Sequence, residues 1–284
     1  MLNNKSLYAL LRLMRPKQWV KNVFVLAPLL FSGEFTDIFS INLALSAFLF
    51  FCIASSATYI LNDYVDIEND KKHPIKSKTR PLASGEVTIK QAGLLAFSLY
   101  GFILLSFFVE PYLFIVLLCY LVLNVIYTFY LKHQPVLDIF TIALGFVLRV
   151  LSGAVVISVP LSSWMFITTL SLALYLASIK RKQELAKSGD NARSVLKHYS
   201  IDLADKYAEM SATSAILFYS LFVMSDKPIL VYTIPLVLFG LYRYWYIVDM
   251  KDDGESPTDA LFSDGLLQVT IISWAFYCFY SLTV

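Results

Sequence analysis

Residues 41–70 read INLALSAFLFFCIASSATYILNDYVDIEND. The first part, Ile41 to Leu61, carries no charged side chain, and about 20 apolar residues suffice for a helix to cross a bilayer. The second part turns abruptly acidic. Eight further apolar blocks surround this one, near 22–33, 91–109, 111–131, 136–158, 163–179, 208–224, 228–248 and 266–283. Lipid offers no partner to an unpaired backbone group, so each block is expected to be helical. The reading is an all-α, polytopic membrane protein with nine transmembrane helices. Composition agrees: 58% of the 284 residues are hydrophobic and 15% charged, against about 25% charged in soluble domains. Mean hydropathy is +0.65. A water-facing globular class is excluded.

The net charge of +2 says little about partners, but its distribution says more. Three longer polar connections, near 62–90, 180–207 and 249–265, each follow an even-numbered block and so share the side of the N-terminus. They hold Lys71, Lys72, Lys76, Lys78, Arg80 and Lys90, then Lys180, Arg181, Lys182, Lys187, Arg193, Lys197 and Lys206, then Lys251. Lys132 lies in a short turn on that side, and the opposite side offers Lys227 alone. Cytoplasmic loops collect Lys and Arg, so a multi-pass cell-membrane protein with a cytoplasmic active face is expected, with residues 1–284 forming one transmembrane unit. The basic N-terminal stretch, from Lys5 through Arg12 to Lys21, reads as an interfacial amphipathic lead-in rather than a cleaved leader. Cys52, Cys119 and Cys278 sit in apolar blocks at unrelated spacings and read as buried small hydrophobes. His73, His133 and His198 lack metal-ligand spacing and receive no role.

The strongest chemical signal is Asn62-Asp63-x-x-Asp66-x-x-x-Asp70. On a continuing helix Asn62, Asp66 and Asp70 recur every fourth residue on one face, with Asp63 close beside them. Like charges on one stripe repel, and a membrane boundary screens them poorly. A cation that neutralises them removes the conflict, and hard oxygen ligands suit Mg²⁺ shared with substrate phosphates. The competing interpretation is a solvated helix end with scattered acids. Pro74 should end the helix, and Arg80 then offers a fork matched to phosphate oxygens. Metal and arginine beside lipid point to a phosphorylated ligand with an apolar tail, or to a soluble diphosphate that meets a lipid. Arg149, deep in an apolar block, reads either as functional or as a paired structural arginine.

With these motifs the sequence resembles the UbiA superfamily of intramembrane prenyltransferases, whose first Asp-rich motif matches 62–70 and whose fold is a nine-helix bundle. Ordinary members carry a second acidic motif after the sixth helix. Here Lys180-Arg181-Lys182-Gln183-Glu184 stands in that place. That departure is similar to the decaprenyl-phosphate phosphoribosyltransferase branch. Arg15-Pro16-Lys17-Gln18-Trp19-Val20-Lys21-Asn22, Asn124-x-x-Tyr127-x-x-Tyr130-x-Lys132, Leu148-Arg149-Val150, and Arg243-Tyr244 with Ser256-Pro257-Thr258-Asp259 and Asp264 resemble it too.

The resemblance implies transfer of 5-phosphoribose from 5-phosphoribosyl 1-diphosphate to a polyprenyl, decaprenyl-like phosphate, with release of diphosphate. It implies Asp63, Asp66 and Asp70, with Asn62, as Mg²⁺ ligands and catalytic residues. Lys17, Lys21, Arg80, Lys180 and Arg181 are candidates for the two phosphate groups. Tyr127 and Tyr175 are candidates to donate hydrogen bonds to phosphate or ribose, with interfacial anchoring as the alternative. Glu184, Asp138 and Asp264 are candidates for ribose hydroxyls. No nucleic acid partner is implied, and a homo-oligomer is compatible. The rivals are an aromatic prenyltransferase of the same fold using a polyprenyl diphosphate, and a transporter or lipid-binding protein. The first should want acids near 180–184, and the second inverted repeats that this sequence does not show.

Overall fold

The computed structural model describes residues 4–188, 194–251 and 257–283. Arg193 and Ser256, and the side chains of Lys5, Lys187, Lys251 and Pro257, lie outside the described residues. Every regular element among the described residues is helical. Eight helices there are long and apolar enough to cross a membrane: Ile38–Val65, Ile89–Val109, Pro111–Phe129, Leu137–Val156, Ser163–Ala186, Ile201–Asp226, Pro228–Met250 and Gly265–Thr283. The chain is an all-α polytopic membrane protein.

The block expected to supply the first crossing differs. After α1 (Asn4–Leu13) the chain runs as a 3₁₀ helix over Pro16–Leu26 and then as the short α2 (Ala27–Ser32). Pro28 has no N–H to close an α-helical bond back to Phe24, and Pro16 opens the segment. The slimmer helix also lets the Val25 carbonyl close on α9 (Leu137–Val156), where a Cβ on Gly153 would lie 1.8 Å from the Val25 oxygen. At about 2.0 Å per 3₁₀ residue and about 1.5 Å per α residue, 16–32 reaches roughly 31 Å, the hydrocarbon thickness. The segment 16–32 is therefore long enough to make a ninth crossing with fewer residues than an α-helix needs.

The helix ends follow local chemistry. The Asp37 side chain accepts from the Ser40 N–H at 2.8 Å to start α3 (Ile38–Val65). Thr88 and Gln91 form a capping box at α6 (Ile89–Leu104), which a break at Leu105 separates from α7 (Ser106–Val109). Pro111 opens α8 (Pro111–Phe129), and Ser200 caps α11 (Ile201–Asp226). Beyond α3, α4 (Ile67–Lys72) continues the same ladder: the Asp66 N–H donates to Asn62 and the Asp70 N–H to Asp66, both at 2.9 Å. His73 is extended, as the residue before a proline prefers, and the helix stops there. The connection then forms α5 (Lys76–Thr79) and a turn with Gly85 at φ 79°. α1 packs Ala9 and Leu13 against Ala57, Ile60 and Leu82, while Leu7, Tyr8 and Leu11 remain exposed, as an interfacial helix should. The remaining elements are α10 (Ser163–Ser188), α12 (Ile234–Lys251), α13 (Pro257–Ser263) and α14 (Gly265–Thr283).

Candidate active site

The helical ladder across Asp66 keeps the acidic stripe intact, with Asp63 and Asp66 at the end of α3 and Asp70 in α4, although among the described residues no three acids are grouped closely enough to hold a metal ion. Asp63 and Asp70 are 2% and 4% exposed, and such carboxylates require counter-charge. Arg80 bridges the pair: its Nη1 donates to Asp63 Oδ1 at 2.5 Å and to Asp70 Oδ2 at 2.7 Å. Arg15 also donates to Asp63, and its guanidinium lies 4.8 Å from the centre of the Tyr59 ring. Arg15 is left-handed, with φ 54°, which turns the chain from α1 into the first crossing. Lys76 Nζ lies 3.9 Å from Asp70. Lys132, from the turn between α8 and α9, reaches Asp66 at 2.7 Å. Asn62 is half-buried one turn before Asp66. Arg80, expected to reach a phosphate, donates through Nη1 to two carboxylates here.

A second charged group lies toward the end of α10. Arg181 is 1% exposed; its Nε donates to Asp138 Oδ2 at 2.6 Å and its Nη1 to Glu184. Asp138 is fully buried and also accepts from the Tyr199 hydroxyl at 2.7 Å, while that hydroxyl accepts from the Val136 N–H at 2.7 Å. Burial and the Asp138 carboxylate hold the Tyr199 hydroxyl well above its ordinary range, so it stays a donor. Lys180 Nζ lies 3.8 Å from Glu184, and Tyr127 is within electrostatic range of Arg181. Lys182 is tied to Asp205 at 3.0 Å and to Asp249 at 2.9 Å, joining α10, α11 and α12.

Lys17 and Lys21 form a third group on the first crossing. Lys17 pairs with Asp259 of α13 and lies 5.9 Å from the centre of the Phe262 ring. Lys21 stands among the charges of Arg149, Arg15 and Asp259.

Several expectations are corrected. Tyr175 is wholly buried between α10 and α12, with its ring against Tyr244 and Trp245 and its hydroxyl donating to the Leu241 carbonyl at 3.2 Å. It belongs to the core, not to the acidic station. Arg181 is not an open cation for a phosphate, because two carboxylates already take its charge. Asp138 serves Arg181, and Asp264 pairs with Arg243 at 2.8 Å and caps α14 through the Leu267 N–H. Arg149 resolves as a structural arginine: it donates to Asn22 at 2.8 Å, to the Gly145 carbonyl at 2.7 Å and to Tyr120 at 3.2 Å, with Phe51, Tyr120 and Phe146 rings around it. Of the cysteines, Cys52 and Cys278 are buried as expected and Cys119 is exposed on the apolar surface.

Residues 23–266 match the sequence profile of the UbiA prenyltransferase family. The chain belongs to that family. Among curated relatives, UbiA members named decaprenyl-phosphate phosphoribosyltransferase align over nearly the whole length. The one from Corynebacterium glutamicum is 35% identical over 94% of this chain and 84% of its own. That from Mycolicibacterium smegmatis is 32% identical over 93% and 89%. Among solved structures, a UbiA homolog from Archaeoglobus fulgidus bound to GPP and Mg²⁺ superposes with a TM-score of 0.71, at 19% identity, over 97% of this chain and all of that one. Digeranylgeranylglyceryl phosphate synthase superposes at 0.67, with 17% identity, over 98% and 99%. At these identities the structures establish a shared UbiA fold.

Proposed function

We propose that this protein transfers 5-phosphoribose from 5-phosphoribosyl 1-diphosphate to a polyprenyl phosphate of decaprenyl type, releasing diphosphate, at the cytoplasmic face of the membrane. Residues 1–284 act as one transmembrane unit whose connections near 62–90, 180–207 and 249–265 share that face. One observation carries the reading: the Asp-rich motif at 62–70 is accompanied in the sequence by the basic run Lys180–Lys182, where a prenyl-diphosphate enzyme needs further acids. The names of the two relatives above support the same donor and acceptor.

Asp63, Asp66, Asp70 and Asn62 supply hard oxygens of the kind Mg²⁺ takes, but as they stand no three acids among the described residues are grouped to hold an ion, because Arg80 and Lys132 engage the carboxylates. The Arg80 guanidinium already places positive charge between Asp63 and Asp70. When bound, Mg²⁺ supplies Lewis-acid stabilisation of the leaving diphosphate. The chain's own residues do the rest. Arg15, Arg80 and Lys132 surround the acids with positive charge that can turn toward diphosphate oxygens. Lys17 and Lys21, on the first crossing, supply cations for the acceptor phosphate. That phosphate is ionised at neutral pH, so no side chain has to remove a proton. The C1–diphosphate oxygen bond of the ribose breaks, an acceptor phosphate oxygen bonds to C1 from the opposite face, and diphosphate leaves with the bonding electron pair. Positioning two anions on either side of C1 is the main task.

Purified protein would be given labelled phosphoribosyl diphosphate with decaprenyl phosphate, and separately a polyprenyl diphosphate with an aromatic acid. Label passing into the lipid phase with the first pair is the expected result. Product from the second pair alone would overturn the proposal.

A further inference from the structure

Arg181 is the largest side chain buried almost completely in the protein, and its three nitrogens have unequal lots. Nε is taken by Asp138 and Nη1 by Glu184, whereas Nη2 is buried and has no hydrogen-bond partner. Buried N–H groups without acceptors are uncommon in folded proteins and costly to keep. This one lies between two carboxylates, with Lys180 3.8 Å from the outer of them. The charge of Arg181 is already taken by Asp138 and Glu184. A phosphate brought here would add uncompensated negative charge in a poorly solvated place. A neutral sugar oxygen would not.

The placement of this cluster follows from one turn. Residues 130–136 carry Lys132 to Asp66 of the acidic station and lead directly into Asp138, which holds Arg181. At the end of that turn Val136 has φ 69°, a conformation that a β-branched residue adopts at a cost. Its N–H is held by Tyr199, the same hydroxyl that donates to Asp138. Strain of this kind persists where the surroundings enforce it, commonly beside functional groups. A diphosphate seated at the acidic stripe has a ribose one bond away, and the segment that brings Lys132 to Asp66 continues into Asp138, the partner of Arg181.

We propose that Arg181 recognises the ribose of the donor, donating through Nη2 to a sugar oxygen, the 2-hydroxyl beside the reacting carbon foremost. Asp138 and Tyr199 are the positioning residues that hold the guanidinium for it. The inference rests on phosphoribosyl diphosphate being the donor and goes beyond it, since it assigns sugar selectivity to a residue whose charge is already spent.

The test compares phosphoribosyl diphosphate with its 2-deoxyribosyl analogue, and uses inorganic diphosphate as a competing inhibitor that has no sugar. Arg181→Lys keeps the charge and removes the fork. Tyr199→Phe keeps the ring and removes one oxygen, so it reports on the same cluster should the first variant fail to fold. The wild-type protein should prefer the ribosyl donor by about 10²-fold in kcat/KM, because a site built for a hydroxyl rejects a substrate lacking it. Arg181→Lys should bring that preference close to unity and raise the donor KM about tenfold, leaving the inhibition constant of inorganic diphosphate within about twofold. Tyr199→Phe should reduce the preference in smaller measure, again with inhibition by inorganic diphosphate within about twofold. An unchanged preference in both variants, or inhibition by diphosphate weakening in step with the donor KM, overturns the assignment. A wild-type protein that uses phosphoribosyl diphosphate without discriminating against the deoxy analogue overturns it too, while leaving the proposed function standing. A protein that takes no phosphoribosyl diphosphate at all overturns both.

Discussion

Lys132 donates to Asp66 at 2.7 Å, joining the turn after α8 to the acidic stripe at the end of α3. Both side chains are largely withdrawn from solvent, at 9% and 21% exposure. A cation in this position does two things: it holds the carboxylate, and it stands ready beside an incoming diphosphate. Lys132→Ala should lower kcat/KM for the donor by about 10²-fold, the effect of losing one preorganised charge-stabilising donor. Lys132→Arg should keep most of the activity, since its fork reaches the same carboxylate. Steady-state kinetics in detergent would measure both. Equal activity of wild type and Lys132→Ala would remove Lys132 from the site.

How much of this site could be read beforehand depends on where its contacts come from. The acidic stripe was legible because it rests on helical spacing alone, and the ladder through Asp66 preserves that spacing. Pro74 stopped the helix for an equally local reason. Lys132, Asp138 and Tyr199 were not legible as a set, because their contacts join residues 66, 43 and 61 positions apart. Tyr175 was misplaced for a different reason. In a bilayer the outward face of a helix is as apolar as the inward one, so periodicity does not report which way a tyrosine on α10 turns. The first crossing escaped because apolar composition sets that a segment crosses, not the pitch at which it does so.

Neutralising one carboxylate tests the metal site. Asp66→Asn preserves size and hydrogen bonding but removes the charge that a divalent ion and Lys132 share. Transfer should fall at least about 10²-fold, and chelation of divalent metal should abolish transfer by the wild-type protein. Mn²⁺ binding followed by electron paramagnetic resonance, in the presence of inorganic diphosphate, should weaken in the variant. Wild-type activity undiminished in excess chelator would exclude a metal at the acidic stripe.

Arg149 makes the opposite kind of prediction. Its three hydrogen bonds tie α9 to the first crossing through Asn22 and to α8 through Tyr120. Hydrogen bonds to charged groups contribute about 1.5–3 kcal/mol each, and removing the arginine also takes the donor from the buried Asn22 Oδ1. Arg149→Met should lower the thermal unfolding midpoint markedly, while the donor KM of the protein that remains folded stays near the wild-type value. Asn22→Ala should destabilise in the same direction, and the double variant should cost less than the sum, because the two residues share one bond. A large rise in donor KM without loss of stability would return Arg149 to the active site.

Tyr175→Phe removes a hydroxyl whose partner is the Leu241 carbonyl and leaves the ring among Tyr244 and Trp245. The expected cost is about 1 kcal/mol of stability, the net worth of one neutral hydrogen bond, with kinetics for both substrates unchanged. A selective loss of donor affinity would place the hydroxyl on the ligand.

A close approach of two backbones leads to the sharpest structural prediction. At Gly153 an added methyl group would lie 1.8 Å from the Val25 oxygen and 2.9 Å from its carbonyl carbon, both main-chain atoms. No rotamer change relieves a clash with backbone, so α9 and the first crossing would have to separate. That separation would pull Asn22 from Arg149 and unseat Arg15 and Lys21, which enter the site on the same segment. Gly153→Ala should therefore lose both stability and transfer. Gly93→Ala, where nothing lies within 4 Å of the added Cβ, should lose neither. Size-exclusion profiles and thermal unfolding of the two variants, side by side, distinguish a packing requirement from a general intolerance of alanine for glycine. If Gly153→Ala folds and works like the wild-type protein, the first crossing does not pack against α9 as described.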